Sequence, residues 1–429
     1  MKRKLTRRQV LKNSALAGIG IWTLGQGVPA KGFSPNEKLN LASIGIGGRG
    51  KANTYAMGRL ENMVALCDVD DARAGKAYED FPKAKQFKDF RVLLEDMDER
   101  IDAVIISTPD HTHVHPAVMA MERNKHCYLE KPMGHSVWEC RRITDLAREK
   151  GLATQLGAQR HAMANMHRVV ELIKSGAVGT VKECHAWVGG DRGMPPLATK
   201  FPPVPDTLDW DLWLGPARDR RYSPEYVPYH WRFWWDFGTG ETGNWGCHVL
   251  DIPFWALDLK NPTRIEATGP EVDSERTPRS MRVRYEFPSE DVVLHWYHSK
   301  DGPPVLKENG LPHYGTGVVF VGEEGMLLTG FDKHALFPKE KFADFEYPEQ
   351  TIPDSPGFYQ EWLDGCKGGE KPTCHFDYSG PLAETVLLGN VAYRAGETLE
   401  WDAAACKVTN TAAADALIRP EYREGWELS

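Results

Sequence analysis

The chain has 429 residues and a formal net charge of −8, and 41% of its residues are hydrophobic. Residues 1–30 hold six Lys or Arg and no Asp or Glu, so the rest of the chain has 46 basic against 60 acidic residues and a net charge of −14. That charge argues against nucleic acid as a partner. The length exceeds the roughly 250 to 300 residues that one hydrophobic core serves, so two domains are expected.

Residues 1–30 have the three parts of an export signal. A basic head containing the sequence TRRQVLK at 6–12 precedes an apolar stretch at 15–24, and small residues suitable for cleavage end at Ala30. Paired arginines are typical of twin-arginine signals. We therefore expect a cleaved signal peptide over 1–30, export of the folded protein by the twin-arginine (Tat) machinery, and a periplasmic or otherwise exported location.

An uncut membrane anchor is the alternative for this segment. Its ten or so apolar residues fall short of the ~20 that span a bilayer. No later apolar run is long enough either, so we expect no stable membrane span after cleavage.

Between residues 39 and 156, short apolar runs alternate with helix-like stretches, which predicts parallel strands joined by crossover helices. A glycine fingerprint follows the first run and consists of Gly45, Ile46, Gly47, Gly48, Arg49 and Gly50. Glycines there let the backbone approach a pyrophosphate at the positive end of a helix. Asp68 ends the second run, where it can bind ribose hydroxyls and would repel a 2′-phosphate. We therefore predict a dinucleotide-binding Rossmann domain over 36–157 that prefers NAD to NADP, with Arg73 as the nearest residue that could favour NADP.

A histidine-containing segment follows the apolar strand at 103–106, and therefore lies at a strand's carboxyl end, where ligands bind in α/β sheets. It comprises Thr108, Pro109, Asp110, His111, Thr112, His113, Val114 and His115. Alternate spacing at a loop-to-helix junction gives the three histidines no fixed ligand geometry, and no cysteine or acid pair completes a site. The eight cysteines are scattered without a Cys-x-x-Cys pair. We therefore expect no metal site.

Glu130, Lys131 and Pro132 follow the next apolar strand. A lysine held in a low-dielectric cleft loses its proton more readily, which is what acid–base chemistry on a hydroxyl requires. From the residue types alone, a surface Glu-Lys pair before a turn is the preferred interpretation.

Taken in chain order, Gly45-x-Gly47-x-x-Gly50, Asp68, the segment at 108–113 and Glu130-Lys131-Pro132 resemble the glucose-fructose oxidoreductase, inositol dehydrogenase and rhizopine-catabolism (Gfo/Idh/MocA) family. The resemblance covers nearly the whole chain after the signal peptide. It implies an α/β protein: a Rossmann domain, then an α/β domain over 158–429 with an open, mainly antiparallel sheet.

The resemblance also implies function. It implies NAD(P) binding, action on sugars or cyclitols, and a homo-oligomer formed through the exposed sheet face. Lys131 matches the catalytic lysine of the family. Thr108, Pro109 and His113 match its strand-end loop at the cofactor and active site, and Glu130 is grouped with the cofactor-binding residues.

The segment at 189–239 holds five prolines within eleven residues and few periodic runs, so we predict an ordered loop over the cleft. Seven of the fourteen tryptophans fall between 210 and 255. Aromatic faces suit sugar rings. We expect one or two of Trp231, Trp234 and Trp235 to contact substrate, and the other tryptophans to pack the loop. Arg160 could meet substrate or cofactor, or form an interdomain hydrogen bond.

Asn244, His248, Asp251 and Trp255 recur at spacings that place them on one helical stripe, which Pro253 must kink or end. The family has an Asp and a His four residues apart here. The resemblance therefore implies that His248 is the catalytic base, whereas Asn244 stands where the family has Asp. Because Asn cannot bear a charge or accept a proton, Asn244 is expected to position substrate, together with Asp251.

The preferred hypothesis is an exported NAD-dependent oxidoreductase that transfers hydride between a sugar or cyclitol ring carbon and tightly bound nicotinamide. A cofactor that cannot exchange needs a second substrate for its hydride, or must return it. A redox-neutral NAD-dependent glycosidase or lyase, working by transient oxidation and elimination, is therefore the second hypothesis. A non-catalytic sugar- or NAD-binding protein is the third.

Overall fold

The computed structural model describes residues 37–428, and the predicted signal peptide lies outside them. Its first sheet has six parallel strands in the order β3-β2-β1-β4-β5-β6. They are β1 (Asn40–Ile44), β2 (Asn62–Cys67), β3 (Lys85–Phe87), β4 (Ala103–Ile106), β5 (His126–Leu129) and β6 (Thr154–Leu156). The predicted Rossmann sheet is confirmed, and β3 adds a short strand that the apolar pattern did not indicate.

Helices cover both faces of this sheet, which is why its strands are continuous apolar runs; all four residues of β4 are fully buried. The helices are α1 (Arg49–Gly58), α2 (Asp71–Asp80), α3 (Phe90–Asp96), α4 (Val114–Glu122) and α5 (Val137–Lys150). α5 shows how local sequence sets their ends: Ser136 and Glu139 form a capping box, and Gly151 ends the helix at φ 62°. The strand order reverses between β1 and β4, and this places a ligand crevice at their carboxyl ends.

The second sheet is open, with nine strands in the order β13-β12-β11-β7-β10-β9-β8-β14-β15. They are β7 (Val181–Val188), β8 (Arg264–Thr268), β9 (Met281–Phe287), β10 (Val292–His298), β11 (Thr316–Gly322), β12 (Met326–Thr329), β13 (His334–Phe337), β14 (Leu399–Asp402) and β15 (Lys407–Val408). β7 and β10 pair in parallel, and the other neighbours pair antiparallel. The predicted mainly antiparallel sheet is confirmed.

Eight further helices accompany the second sheet in the described residues. They are α6 (Ala164–Lys174), α7 (Trp210–Leu214), α8 (Gly240–Val249), α9 (Asp251–Ala256), α10 (Pro304–Glu308), α11 (Phe358–Cys366), α12 (Phe376–Ala395) and α13 (Ala412–Asp415). α12 packs against α5, α8 and β8, so it joins the helices of both halves. The border predicted at residue 157 stays a prediction.

The predicted helical stripe at 244–255 is interrupted. α8 ends at Val249 and α9 begins at Asp251, two residues before Pro253. Leu250, between the two helices, keeps helical dihedral angles of φ −69° and ψ −19°. No helix within 37–428 is long and apolar enough to cross a bilayer.

Candidate active site

A cleft of about 630 Å³ opens at the carboxyl ends of β1, β2, β4 and β5 and is closed on the other side by α8 and the loop at 189–239. Most of the residues singled out in the sequence line it: Gly45, Gly47, Gly48, Arg49, Asp68, Thr108, Pro109, His113, Glu130, Lys131, Arg160, Trp231, Asn244 and His248. The fold therefore brings together segments that are far apart in the chain. Gly50, Trp234, Trp235 and Asp251 do not line it.

The glycine fingerprint forms the tight turn between β1 and α1. A Cβ on Gly50 would lie 1.8 Å from the carbonyl oxygen of Gly45, and a Cβ on Gly45 would lie 2.8 Å from the Ser107 backbone. Gly48, at φ 54°, precedes α1, and no side chain of the described residues caps that helix end. Its first N–H groups therefore remain available to an anion, so the backbone fits a dinucleotide pyrophosphate.

Asp68 is fastened to this turn. Its Oδ2 accepts hydrogen bonds from the backbone N–H groups of Ile46 at 2.9 Å and Gly47 at 3.1 Å, and its Oδ1 accepts one from Asp70 at 3.0 Å. Burial raises the pKa of Asp68, while these hydrogen bonds and Arg73 oppose the rise. The carboxylate oxygens retain lone pairs for ribose hydroxyls. Arg73 also lines the cleft, where its charge opposes the rise in the pKa of Asp68.

Lys131 is held by Asn244 across the cleft. Its Nζ donates to the Asn244 backbone oxygen at 2.6 Å and to Oδ1 at 3.0 Å. Burial lowers the pKa of Lys131, and the nearby charges of Glu130 and Asp110 oppose that shift. The amide of Asn244 therefore positions the lysine without placing a negative charge directly on it.

The side-chain amide of Asn244 is in turn hydrogen-bonded to a carboxylate. Asn244 Nδ2 donates to Glu241 Oε2 at 3.1 Å, and Glu241 is 1% exposed. Arg192 Nε donates to the other oxygen of Glu241 at 2.7 Å and pairs with its charge. Glu241 was not predicted from the sequence, although its position one helical turn before Asn244 was the available signal.

His248 is a half-buried imidazole in the same cleft. Its Nδ1 is buried and has no hydrogen-bond partner within residues 37–428. Burial, and then the charges of Lys131 and Arg160, hold the pKa of His248 well below its usual value. The ring is therefore neutral near pH 7 and able to accept a proton.

Glu130 and His113 fasten the two strand-end loops. Oε1 of Glu130 accepts hydrogen bonds from Asn53 at 2.9 Å, Gln159 at 2.7 Å and Arg49 at 3.3 Å. His113 contacts the carbonyl oxygens of Pro132 at 2.6 Å and Thr108 at 2.9 Å through its two ring nitrogens. These contacts position Lys131, whose peptide bond to the following proline is cis. His111 and His115 contact other backbone carbonyls, so the three histidines do not converge.

Trp231 lies in the cleft wall, and the guanidinium of Arg232 stands 4.2 Å over its ring. Arg160 also lines the cleft, with its guanidinium 4.0 Å over the ring of Phe331. Both can therefore meet a ligand.

The substrate contacts expected of Trp234, Trp235 and Asp251 are corrected by the structure. Trp234 is 1% exposed and packs edge-on against Tyr226 inside the loop, and Trp235 turns to a second cavity. The stretch is extended at Trp234, so adjacent side chains point apart. Asp251 lies beyond the helix break and is fully buried. Its carboxylate accepts hydrogen bonds from His161 and Tyr378, which makes it a packing residue.

Part of the loop at 189–239 crosses onto the first sheet and forms a clasp, residues 205–214. Leu208 forms a β-bridge with Asp70, and the backbone N–H of Asp209 donates to the Val69 oxygen at 2.9 Å. Leu208 and Trp213 line the cleft. The clasp therefore covers the cleft beside Asp68, where a dinucleotide ribose would lie.

Two family models match the chain. Residues 39–158 match the oxidoreductase family with an NAD-binding Rossmann fold, and residues 175–301 match the C-terminal α/β domain of the same family. The chain belongs to the Gfo/Idh/MocA family. The resemblance and the prediction of NAD as cofactor are thereby confirmed.

Curated relatives of this Gfo/Idh/MocA protein include several activities. A 1-carboxy-3-chloro-3,4-dihydroxycyclohexa-1,5-diene dehydrogenase of Comamonas testosteroni is 32% identical over 33% of this chain and 37% of its own length. An inositol 2-dehydrogenase of Salmonella typhimurium is 29% identical over 32% and 42%. A glycosyl hydrolase family 109 protein of Solibacter usitatus is 29% identical over 41% and 44%. The match thus spans less than half of each relative.

Solved structures share the fold over nearly their full length. The WlbA dehydrogenase from Chromobacterium violaceum, in complex with NADH and UDP-GlcNAcA, has a TM-score of 0.62 and 15% identity over 86% of this chain and 98% of that one. GenD2 from gentamicin A biosynthesis, in complex with NAD, has a TM-score of 0.60 and 18% identity over 88% and 100%. At these identities the likeness establishes the fold of this Gfo/Idh/MocA protein.

Proposed function

We propose that this protein transfers hydride between a ring carbon of a sugar or cyclitol and an NAD molecule that stays bound. One observation carries the proposal: a lysine with a lowered pKa and a neutral histidine line the same cleft as the glycine fingerprint. A WlbA structure holds NADH with a nucleotide sugar, and an inositol 2-dehydrogenase is among the relatives. Both support the substrate class.

Oxidation of a ring hydroxyl removes a proton from the oxygen and a hydride from the carbon. NAD, when bound, would accept the hydride. His248 takes the hydroxyl proton as the C–H bond breaks, because its low pKa leaves the imidazole neutral. Protonated Lys131 donates a hydrogen bond to the oxygen that becomes the carbonyl. In the reverse reaction His248 returns the proton to that oxygen.

Asn244 orients Lys131 and does not accept the hydroxyl proton of the substrate. Its side chain and backbone oxygens orient Nζ at 3.0 and 2.6 Å. The carboxylate of Glu241 is bonded to the far end of the amide and is shared with Arg192. Lys131 is therefore oriented without the strong stabilisation of its charge that a direct carboxylate contact would add.

The clasp supports retention of the cofactor. Its backbone hydrogen bonds to residues 69–71 lie beside Asp68, so we expect the clasp to slow the release of NAD. Retention also suits an exported protein, which has no soluble NAD pool to draw on.

The test of this proposal has two steps. Protein purified from the native envelope fraction is gently denatured, and mass spectrometry measures its NAD; we expect a stoichiometric amount. The intact protein is then mixed with a panel of sugars and cyclitols while the absorbance of bound NADH is followed. If no member of the panel reduces the bound cofactor or reoxidises it, the proposed activity is refuted.

Export through the twin-arginine pathway is part of the proposal, and it rests on the motif at residues 6–12. We expect the double variant Arg7→Lys, Arg8→Lys to accumulate in the cytoplasm, whereas the wild-type chain reaches the periplasm. If cell fractionation finds the two chains equally distributed, export through the twin-arginine pathway is refuted.

A redox-neutral glycosidase is the second candidate, and the relatives of glycosyl hydrolase family 109 favour it. Transient oxidation of a ring hydroxyl acidifies the neighbouring C–H, elimination expels the glycosidic substituent, water adds, and the hydride returns to the ring. Release of free sugar from a glycoside without accumulation of NADH identifies this activity. Net reduction of bound cofactor by a free sugar identifies the first.

A further inference from the structure

Three metal-ligand side chains meet on the second sheet, outside the residues that line the cleft. Glu183 and His185 lie on β7, and His295 lies on β10. The two strands form the parallel pair, whose register sets His185 directly opposite His295. Glu183 is two residues from His185, so it shares that face.

The donor atoms of this cluster are spaced as the ligands of one ion. Oε1 of Glu183 lies 2.9 Å from Nε2 of His295 and 3.4 Å from Nε2 of His185. The three residues offer ligand atoms that all lie within 4.8 Å of one another. Zinc binds such atoms at about 2.0 to 2.2 Å in a tetrahedron, which places its ligands roughly 3.3 Å apart. Small side-chain movements therefore suffice to admit the ion.

The ring of His185 is held by a hydrogen bond on the side away from Glu183. Nδ1 of His185 is 3.0 Å from the hydroxyl of Tyr297, which fixes the ring with Nε2 towards Glu183. The two imidazoles stack with centroids 4.7 Å apart and planes 8° apart.

The charges around the cluster leave room for a cation. Arg284 stands opposite His295 in the register, but it is ion-paired with Glu286. Glu183 is 45% exposed in its side chain, so one side of the cluster is open to water. Three protein ligands with an open fourth position are a common zinc arrangement.

We propose that Glu183, His185 and His295 bind one zinc ion on the face of the second sheet, with water as its fourth ligand. The ion links β7 to β10, the parallel pair near the middle of the nine-stranded sheet. The expectation of no metal rested on the histidines at 111–115 and on the scattered cysteines, and it did not consider His185 and His295, which more than a hundred residues separate. The site is independent of the proposed oxidoreductase activity.

Metal analysis of the full-length protein tests this proposal. After chelator treatment the protein is dialysed against zinc and then against metal-free buffer, and its zinc content and melting temperature are measured. We expect about one zinc ion per chain and a zinc-dependent rise in melting temperature for the wild type. His295→Gln and Glu183→Gln should lose both.

His313→Gln is the matched control, because His313 is an exposed histidine outside the cluster; this variant should keep both effects. Glu183 is the most exposed of the three ligands, so its variant should fold, and an unchanged circular dichroism spectrum checks this. The proposal is overturned if the wild type retains no zinc. It is also overturned if the folded Glu183→Gln and His295→Gln proteins retain as much zinc as the wild type.

Discussion

Replacing Asn244 by Asp puts a negative charge beside Lys131. The lysine Nζ lies 3.0 Å from Asn244 Oδ1, and two unit charges at that distance attract by about 5 kcal/mol at an effective dielectric constant of ~20. Burying the new carboxylate opposes part of this attraction. An opposite charge this close commonly moves a pKa by about 1 to 3. The variant should therefore hold the Lys131 proton to a higher pH than the wild type does.

The pH dependence of turnover reports this change. Because protonated Lys131 polarises the forming carbonyl, activity should fall as pH rises through the pKa of Lys131. In Asn244→Asp that alkaline limb should move upward by about 1 pH unit or more. In both proteins, activity on the acid side should be lost only at low pH. His248 stays neutral and able to accept a proton until the pH falls to its lowered pKa.

The assay is the rate of bound NAD reduction by an active sugar between neutral and alkaline pH. Asn244→Ser is the matched control, since it removes the amide without adding charge; it should weaken turnover and leave the alkaline limb in place. If Asn244→Asp remains active and its alkaline limb coincides with that of the wild type, Lys131 does not titrate in the reaction and the reasoning is refuted.

Further predictions concern other parts of the cleft. Lys131→Met should lower the rate of bound NAD reduction by about 10²- to 10⁴-fold with NAD content unchanged, and equal loss of both would contradict a catalytic role. His248→Gln should cause a similar loss, which single-turnover measurements can localise to the chemical step. Gly50→Ala should abolish NAD retention, measured by mass spectrometry, because its Cβ would lie 1.8 Å from the Gly45 oxygen. Leu208→Asp should speed NAD loss on gel filtration by placing a charge in the clasp beside Asp68; retention equal to wild type would show that the clasp does not hold the cofactor.

Sequence reasoning was most informative where a function depends on local backbone. The fingerprint, Asp68 and Lys131 each follow a buried strand, so their position at the sheet edge could be read from the apolar runs alone. Asn244 and His248 share one helix, and their spacing placed both in the cleft.

Side-chain direction in irregular segments could not be predicted in the same way. Trp234 and Trp235 are adjacent in an extended stretch, and packing decides which side each ring takes. The carboxylate of Asp251 is taken up by His161 and Tyr378, which come from distant parts of the chain. Contacts between distant segments, such as the clasp on Asp70 and the meeting of His185 with His295, arise from tertiary pairing that no local pattern contains.

If NAD stays bound, as we propose, the cleft exchanges substrates with solvent in each cycle but does not exchange the cofactor. In the proposed reaction the proton that His248 takes from the hydroxyl during oxidation stays on its imidazole, from which the reverse step returns it to the oxygen, and Lys131 gives up no proton at all. A cycle of the proposed reaction is therefore completed without exchange of the dinucleotide, and only sugars must enter and leave the cleft. The clasp lies beside Asp68, whereas Arg232 lies close enough to Lys131 for its charge to lower the pKa of the lysine. Under the proposed function we expect sugars to enter and leave at the end of the cleft that Arg232 and Trp231 line.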